Sequence, residues 1–192
     1  MLRLALLLTV LAAAPAPHGR AQTARAVPID PARSALAYTG HHTLHDWTGT
    51  SRAVGGTLQI DLDDPSRSRI EVVVPVASFD SGNSNRDSNM LDTVEEERYA
   101  DVRFASSAVT VDRWQPTADG YAGAWRVRGA LTFHGQTHEI EIPVTVRVAG
   151  RAFEATTRFP ISLERFRVDR PRLMLMPISD TLDLEGTIRA TL

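Results

Sequence analysis

Cysteine is absent from the 192 residues, which excludes disulfide staples, a thiol nucleophile, thiolate metal ligands and a lipid-modified N-terminal cysteine. Lysine is absent too: all 21 basic residues are arginines, so no side-chain amine is available for Schiff-base chemistry. Long apolar runs are equally scarce. The one at the start, Leu4 to Ala14, falls short of the roughly 20 residues that cross a bilayer, and it stands between Arg3 and the small-x-small ending Gly19-Arg20-Ala21. That arrangement reads as a secretory signal peptide over residues 1–21. The mature chain, residues 22–192, is therefore expected to be periplasmic or secreted, without stable membrane insertion. Removing Arg3 and Arg20 leaves 19 arginines against 23 acidic residues, a formal charge of −4, so no basic excess recommends nucleic acid as a partner.

What the chain has in quantity is alternation. Tyr121, Trp125, Val127, Leu131 and Phe133 share one parity, and Arg126, Arg128, Thr132 and His134 share the other. On a strand, that pattern gives one dry face. Ile140, Ile142, Val144, Val146 and Val148 repeat it against Glu139, Glu141, Thr145 and Arg147, with Gly135 between the two arms. Two long alternating arms about a glycine form a β-hairpin, and a two-stranded ribbon cannot bury its apolar face alone.

Further strands must curl over it. The candidates are Ser34 to Gly40, Gly49 to Leu62, Ile70 to Val76, Val102 to Val111 with a parity slip near Ser106-Ser107, Phe153 to Ile161, and Leu182 to Leu192. Ser84 to Tyr99 breaks the pattern with helix formers, Ser84 and Asp87 forming a capping pair and Met90, Leu91 and Val94 lying along one side. The sequence thus predicts an all-β domain, an eight-stranded antiparallel barrel with one short helical crossover. Closure removes exposed edges and leaves a lumen that side chains or one small ligand can fill. The 43% hydrophobic content supplies a core for one such domain.

Four stretches carry a family likeness: Ser34-Ala35-Leu36-Ala37-Tyr38, Arg86-Asp87 followed by Met90-Leu91, Phe104-Ala105-Ser106, and above all Gly129-Ala130-Leu131-Thr132-Phe133-His134-Gly135. In this order and spacing the mature chain resembles the YceI-like family of exported lipocalin-like barrels. The resemblance implies a tunnel that binds an isoprenoid or other long-chain lipid, such as a quinone or a polyprenyl phosphate. The reading is a binding protein rather than an enzyme, with no cofactor assigned and, beside the lipid, a second copy of the chain, as a homodimer, among the expected partners. The chain departs from the family pattern at His41-His42 with His45-Asp46-Trp47 behind them, at Thr93-Val94-Glu95-Glu96-Glu97, and at Phe166-Arg167-Val168-Asp169-Arg170-Pro171. This marks a divergent branch, and one fold hosts many ligands.

The inward parity supplies the expected ligand wall: Leu36, Tyr38, Phe104, Trp125, Val127, Leu131, Phe133 and Phe159. Phe166 joins it, as do Met90, Met174 and Met176, whose thioethers adapt to irregular apolar shapes. The same side chains would equally fill a solid core. The alternative reading is accordingly a packed barrel without lipid, acting through its surface in envelope stress or interaction.

Arg167 and Arg170, beside Phe166, are candidates for a phosphate or quinone head group, since a guanidinium offers a planar fork of donors. Arg86 and Asp87 are read first as a pair or cap of the crossover, and His134 and His138 as solvent-exposed residues of the hairpin turn. His41, His42, His45 and Asp46 form the sharpest polar cluster. Neighbouring strand residues point to opposite faces, however, while a zinc site needs three or four converging ligands; surface hydrogen bonding is the default. With no Gly-x-Ser-x-Gly elbow, no residue is assigned a catalytic role.

Overall fold

The computed structural model describes residues 26–173 and 176–192; residues 1–25, with the segment read as a signal peptide, and Met174 lie outside the described residues. The strands are β1 (Ala26–Pro28), β2 (Ala35–Gly40), β3 (Trp47–Ser51), β4 (Gly55–Gln59), β5 (Arg69–Pro75), β6 (Asp101–Pro116), β7 (Gly120–Phe133), β8 (Gln136–Ala149), β9 (Ala152–Ser162), β10 (Arg172–Leu173), β11 (Met176–Pro177) and β12 (Thr181–Thr191). The helix α1 spans Ser84–Thr93. Ten strands form one antiparallel sheet in the order β1-β4-β5-β6-β7-β8-β9-β12-β2-β3, while β10 and β11 pair only with each other.

The hairpin is the sheet's longest unbroken ladder, Gly120 to Phe133 against Ala149 to Gln136. Its two-residue turn has positive φ at both central residues, 48° at His134 and 67° at Gly135. Such turns match the twist of the strands they join. Within β7, Trp125, Val127, Leu131 and Phe133 are buried while Arg126 and Arg128 are exposed, so the parity read from the sequence is the parity of the fold. The slip near Ser106 is a bulge in the β6–β7 register, and a second one at Val111/Arg113 carries β6 five residues past the end predicted for it.

The sheet curls into a half-barrel, and local contacts bridge its gap. At one end β1 pairs with β4, Ile29 bridges to Ala190 of β12, and Asp30 N–H donates to Arg189 O at 2.8 Å. At the other end Thr50 of β3 bridges to Asp80. Trp114 plugs the barrel near the first of these ends: its indole stacks on Tyr121 at 5.1 Å, tilts against Trp125 at 5.3 Å, and donates Nε1–H to Leu62 O at 3.1 Å.

The sheet holds ten strands where the sequence predicts eight. The stretch from Gly49 to Leu62 is not one strand. Ser51 Oγ accepts from Ala53 N–H at 3.1 Å and bonds Ser78 Oγ at 2.6 Å, which turns the chain out of β3 before β4 begins on the far side of the gap. The short β1 supplies the tenth. The crossover helix is capped one residue earlier than predicted, by Asn83, whose Oδ1 accepts from Arg86 N–H at 3.1 Å.

His41 ties the β2–β3 connection to the sheet. Its Nδ1 lies 3.0 Å from Asp46 and its Nε2 3.3 Å from Asp183 on β12, so both ring nitrogens face carboxylates. The hydrogen bond to Asp46, and behind it the one to Asp183, raises the His41 pKa above the ordinary histidine value. Because the folded value lies above the unfolded one, the stabilisation is fully present below the unfolded pKa and is lost as pH rises through the folded one.

Two variants test this architecture. Gly56 has φ of 129°, and a Cβ there would press on the backbone of Glu71 on β5; Gly56→Ala is expected to cost about 1–3 kcal/mol, read by urea unfolding. An unchanged midpoint would remove the strain argument. For His41→Gln, the loss of melting temperature relative to the parent should be greatest below about pH 6.5 and shrink at higher pH. A loss that is the same at every pH would show that the two carboxylates do not favour a protonated imidazole.

Candidate functional site

At the end of the barrel carrying the His134-Gly135 turn, α1 crosses above the sheet. Beneath the helix lies a chamber of about 450 Å³. Among the strands its walls come from Leu36 and Tyr38 of β2, Val102 of β6, Leu131 and Phe133 of β7, Ile161 of β9, and Leu182 and Leu184 of β12. Met90, Thr93 and Val94 cover it from the crossover, and Leu163, Val168 and Ile178 from the segment after β9. A second, narrower chamber of about 100 Å³ continues towards Trp125, Phe104, Val127, Phe153 and Phe159. Leu36, Val102, Leu131 and Leu184 line both, so the two chambers lie end to end along the barrel. The larger volume is within the range of small-molecule sites, about 300–1,000 Å³.

Glycines opposite aromatics make the upper wall. In the β2–β3 ladder Tyr38 pairs with Gly49 and Trp47 with Gly40. Each ring lies flat over its glycine: a Cβ on Gly40 would stand 2.6 Å from the Trp47 ring, and one on Gly49 would stand 2.5 Å from the ring of Tyr38. Tyr38 also meets Phe79 edge-on at 5.4 Å. Its hydroxyl is buried and its O–H finds no acceptor among the described residues, the nearby Trp47 indole being a donor only. Burial above all, with Asp87 adding to it and Arg86 opposing, raises the pKa of the phenol, which therefore keeps its proton as a donor. Trp125 Nε1, at the wall of the inner chamber, is a second buried donor without a partner among the described residues.

The rim is polar. His45, Trp47, Asn83, Arg86, Asn89 and Arg172 stand around it. Arg86 holds its guanidinium 5.9 Å from the centre of the Trp47 ring. Its neighbour Asp87 is committed elsewhere, both oxygens accepting from Ser81 N–H at 3.2 Å. The two residues therefore divide the roles that the sequence reading gave them jointly: Asp87 fixes the approach to α1, and Arg86 faces the chamber.

Of the residues expected in a ligand wall, Leu36, Tyr38, Met90, Leu131 and Phe133 line the larger chamber; Phe104, Trp125, Val127 and Phe159 line the inner one. Two are not found there, and a third is not described. Met176 is 42% exposed, its sulfur within 3.9 Å of Thr43 Oγ1, because the short β10–β11 pair projects from the rim rather than folding inward. Phe166 is fully buried but lines neither chamber; it packs against Phe133 at 5.7 Å and His138 at 5.0 Å as a fastener of its own loop. Met174 is outside the described residues.

Arg170 is taken up by Glu164 at 2.6 Å and Ile178 O at 3.1 Å, while Arg167 is exposed and lines neither chamber. The turn histidines are not simply solvated either. His134, with its side chain only 10% exposed, sits 3.0 Å from both Phe166 O and Glu95 Oε2, and His138 lies 2.9 Å from Arg165 O. Together they clasp the Leu163–Val168 segment to the hairpin. Among the described residues, no three histidines and carboxylates converge to hold a metal ion. The residues that sequence reasoning missed, Phe79, Leu163, Val168 and Ile178, come from connections where hydrophobic period gives no signal; Trp47 and His45 fall in a segment read only as a polar-aromatic connection.

Comparison with known proteins agrees with this architecture. The YceI-like domain matches over residues 28–190. A UPF0312 protein of Pseudomonas fluorescens is 30% identical over 160 residues, covering 78% of this chain and 74% of its own. Among solved structures, BcnA of Burkholderia cenocepacia superposes with a TM-score of 0.74 at 22% identity, over 85% of this chain and 99% of that one. A polyisoprenoid-binding domain from Saccharophagus degradans, implicated in plant cell wall breakdown, superposes with a TM-score of 0.71 at 15% identity, over 88% and 99%. With the domain matched across the entire barrel, the chain belongs to the YceI-like family.

Proposed function

We propose that this protein is an exported carrier that sequesters an isoprenoid-type amphiphile, its tail in the two chambers and its head at the rim beneath α1. The observation that carries the reading is the chamber of about 450 Å³, apolar along its length and polar at its mouth. A solidly packed barrel working only through its surface would have no such space. The likeness to a domain that binds polyisoprenoid supports the choice of ligand class, as does the energetics: each CH₂ taken from water contributes about 0.8 kcal/mol, so a long tail needs few polar contacts. The role is binding, with no chemical step assigned to any residue.

Export follows from the signal-like segment 1–21, and among the described residues no helix is long and apolar enough to cross a membrane. Protein recovered from the cell envelope should begin at Gln22. A chain still starting at Met1 in the cytosolic fraction would remove the export part of the proposal.

Filling the chamber should abolish binding without harming the barrel. Val94 is 6% exposed and lines the larger chamber; Val94→Trp places an apolar ring in the tail's space and is expected to weaken prenyl-lipid binding about tenfold or more, roughly 1.4 kcal/mol. Leu131→Arg, which puts a charge where both chambers meet, should act the same way, and Arg128→Gln on the exposed face of β7 should leave affinity unchanged. Tryptophan fluorescence reads the titration, with circular dichroism checking the fold. Full affinity in folded Val94→Trp and Leu131→Arg proteins would rule out the chamber as the binding site.

A further inference from the structure

Among the described residues, two large apolar side chains stand out in solvent: Leu44, 56% exposed, and Met176, 42% exposed. Single exposed apolar residues are ordinary on a protein surface, but these two are neighbours. Leu44 belongs to the β2–β3 connection and Met176 to the β10–β11 pair. The two segments are tied together, Ser179 N–H donating to His41 O at 2.8 Å and the Thr43 hydroxyl to the Met176 sulfur at 3.9 Å. Both border the mouth of the larger chamber, which His45 and Trp47 line from the first segment and Pro171, Arg172 and Ile178 from the second. The exposed apolar pair thus lies beside the opening of the apolar interior.

The charge lining that opening has one sign. The chain carries 23 acidic and 21 basic residues, yet the chamber is lined by Arg86, Arg172 and His45 and by no aspartate or glutamate. Arg172 is exposed and makes no ion pair among the described residues. Asp46 and Asp180, the acids nearest to Leu44 and Met176 in the chain, are taken up by His41 and by the Glu164 N–H. Glu95 lies beyond the other end of α1, against His134 of the hairpin turn.

Exposed leucine and methionine beside an unpaired guanidinium suit the interface of an anionic bilayer, where apolar side chains enter between the head groups and arginine stays at the level of the phosphates. A protein partner asks for more. Two side chains are a small part of the roughly 800 Å² per partner that a specific protein interface buries, whereas a fluid bilayer needs no matching surface.

We propose that this side of the rim is a membrane-docking surface, adsorbing reversibly on an anionic lipid bilayer through Leu44 and Met176 with Arg172 facing the lipid phosphates. Docking sets the chamber mouth against the surface from which cargo enters; that consequence rests on the carrier reading, while the adsorption itself does not. The contact is superficial, since β10 and β11 are two residues each.

Vesicle flotation of the mature protein tests the proposal, with vesicles of phosphatidylcholine alone and of phosphatidylcholine mixed with phosphatidylglycerol. The protein should float with the mixed vesicles, bind phosphatidylcholine alone about fivefold more weakly, the scale of one arginine at an anionic surface, and release at high salt. The double variant Leu44→Asp with Met176→Asp should lose about tenfold or more in vesicle affinity. Arg172→Gln should lose about fivefold on the mixed vesicles only, and Arg128→Gln, on the exposed face of β7, should lose nothing. All four side chains are exposed, so melting temperatures should match the parent's.

A parent that floats with neither vesicle, or a double variant that floats as the parent does, would overturn the docking surface. Equal flotation with both vesicles, unchanged in Arg172→Gln, would overturn the anionic bilayer as its partner. Flotation confined to native envelope vesicles and lost after protease treatment would assign the patch to a protein instead. Titration with geranylgeraniol in the absence of vesicles keeps the two readings apart: cargo binding by a protein that does not float leaves the carrier role standing, and flotation without cargo binding leaves the docking surface standing.

Discussion

The apolar face of the β7–β8 hairpin has no second sheet to lie against. The chain can hide that face only by continuing the sheet around it, through β6 and β5 on one side and β9, β12 and β2 on the other. Everything functional in the molecule follows from that curl. A curled sheet encloses a space along its axis, and how far side chains fill it varies from end to end. Around Trp125, Val127 and Val146 only about 100 Å³ is left open. Under α1, where glycines oppose Tyr38 and Trp47, about 450 Å³ is left open.

That unfilled end is held open by polar clasps outside the lumen rather than by the lumen itself. His134 and His138 fix the Leu163–Val168 segment, His41 fixes the β2–β3 connection, and Asp87 fixes the entry to α1. Each clasp fastens a connection whose residues, Leu163, Val168, Trp47 and Arg86, stand at the chamber. Of the histidines that the sequence singles out, His41, His134 and His138 are therefore structural supports. The polar groups facing the chamber, Tyr38 and Arg86, are ones left without a hydrogen-bond acceptor or an ion pair among the described residues, and function in proteins is commonly found where local satisfaction fails.

The barrel was readable because period-two alternation survives through β7 and β8 and is broken in β6 only at its two bulges, and the inward set from Leu36 to Phe159 could be named from parity alone. Strand count was less readable. The break between β3 and β4 depends on serine hydrogen bonds at Ser51 and Ser78, distant in sequence and invisible to periodicity. Phe166 and Met176 were assigned to the wall on hydrophobicity, yet the first serves its own loop and the second projects into solvent. The roles of Arg86 and Asp87 could not be separated by sequence, since only the backbone N–H of Ser81 distinguishes them. Periodicity fixes faces; loops and their caps are decided by single tertiary contacts.

The central claim is that the space under α1 holds a lipid in the living cell. The most direct measurement is native mass spectrometry, with organic extraction, of the mature protein purified from its own envelope without added detergent. A discrete adduct that extracts as a prenyl lipid is the expected result, and its head group would be read from the same spectrum. A bare polypeptide mass, unchanged after incubation with prenyl phosphates and quinones, would contradict the carrier role.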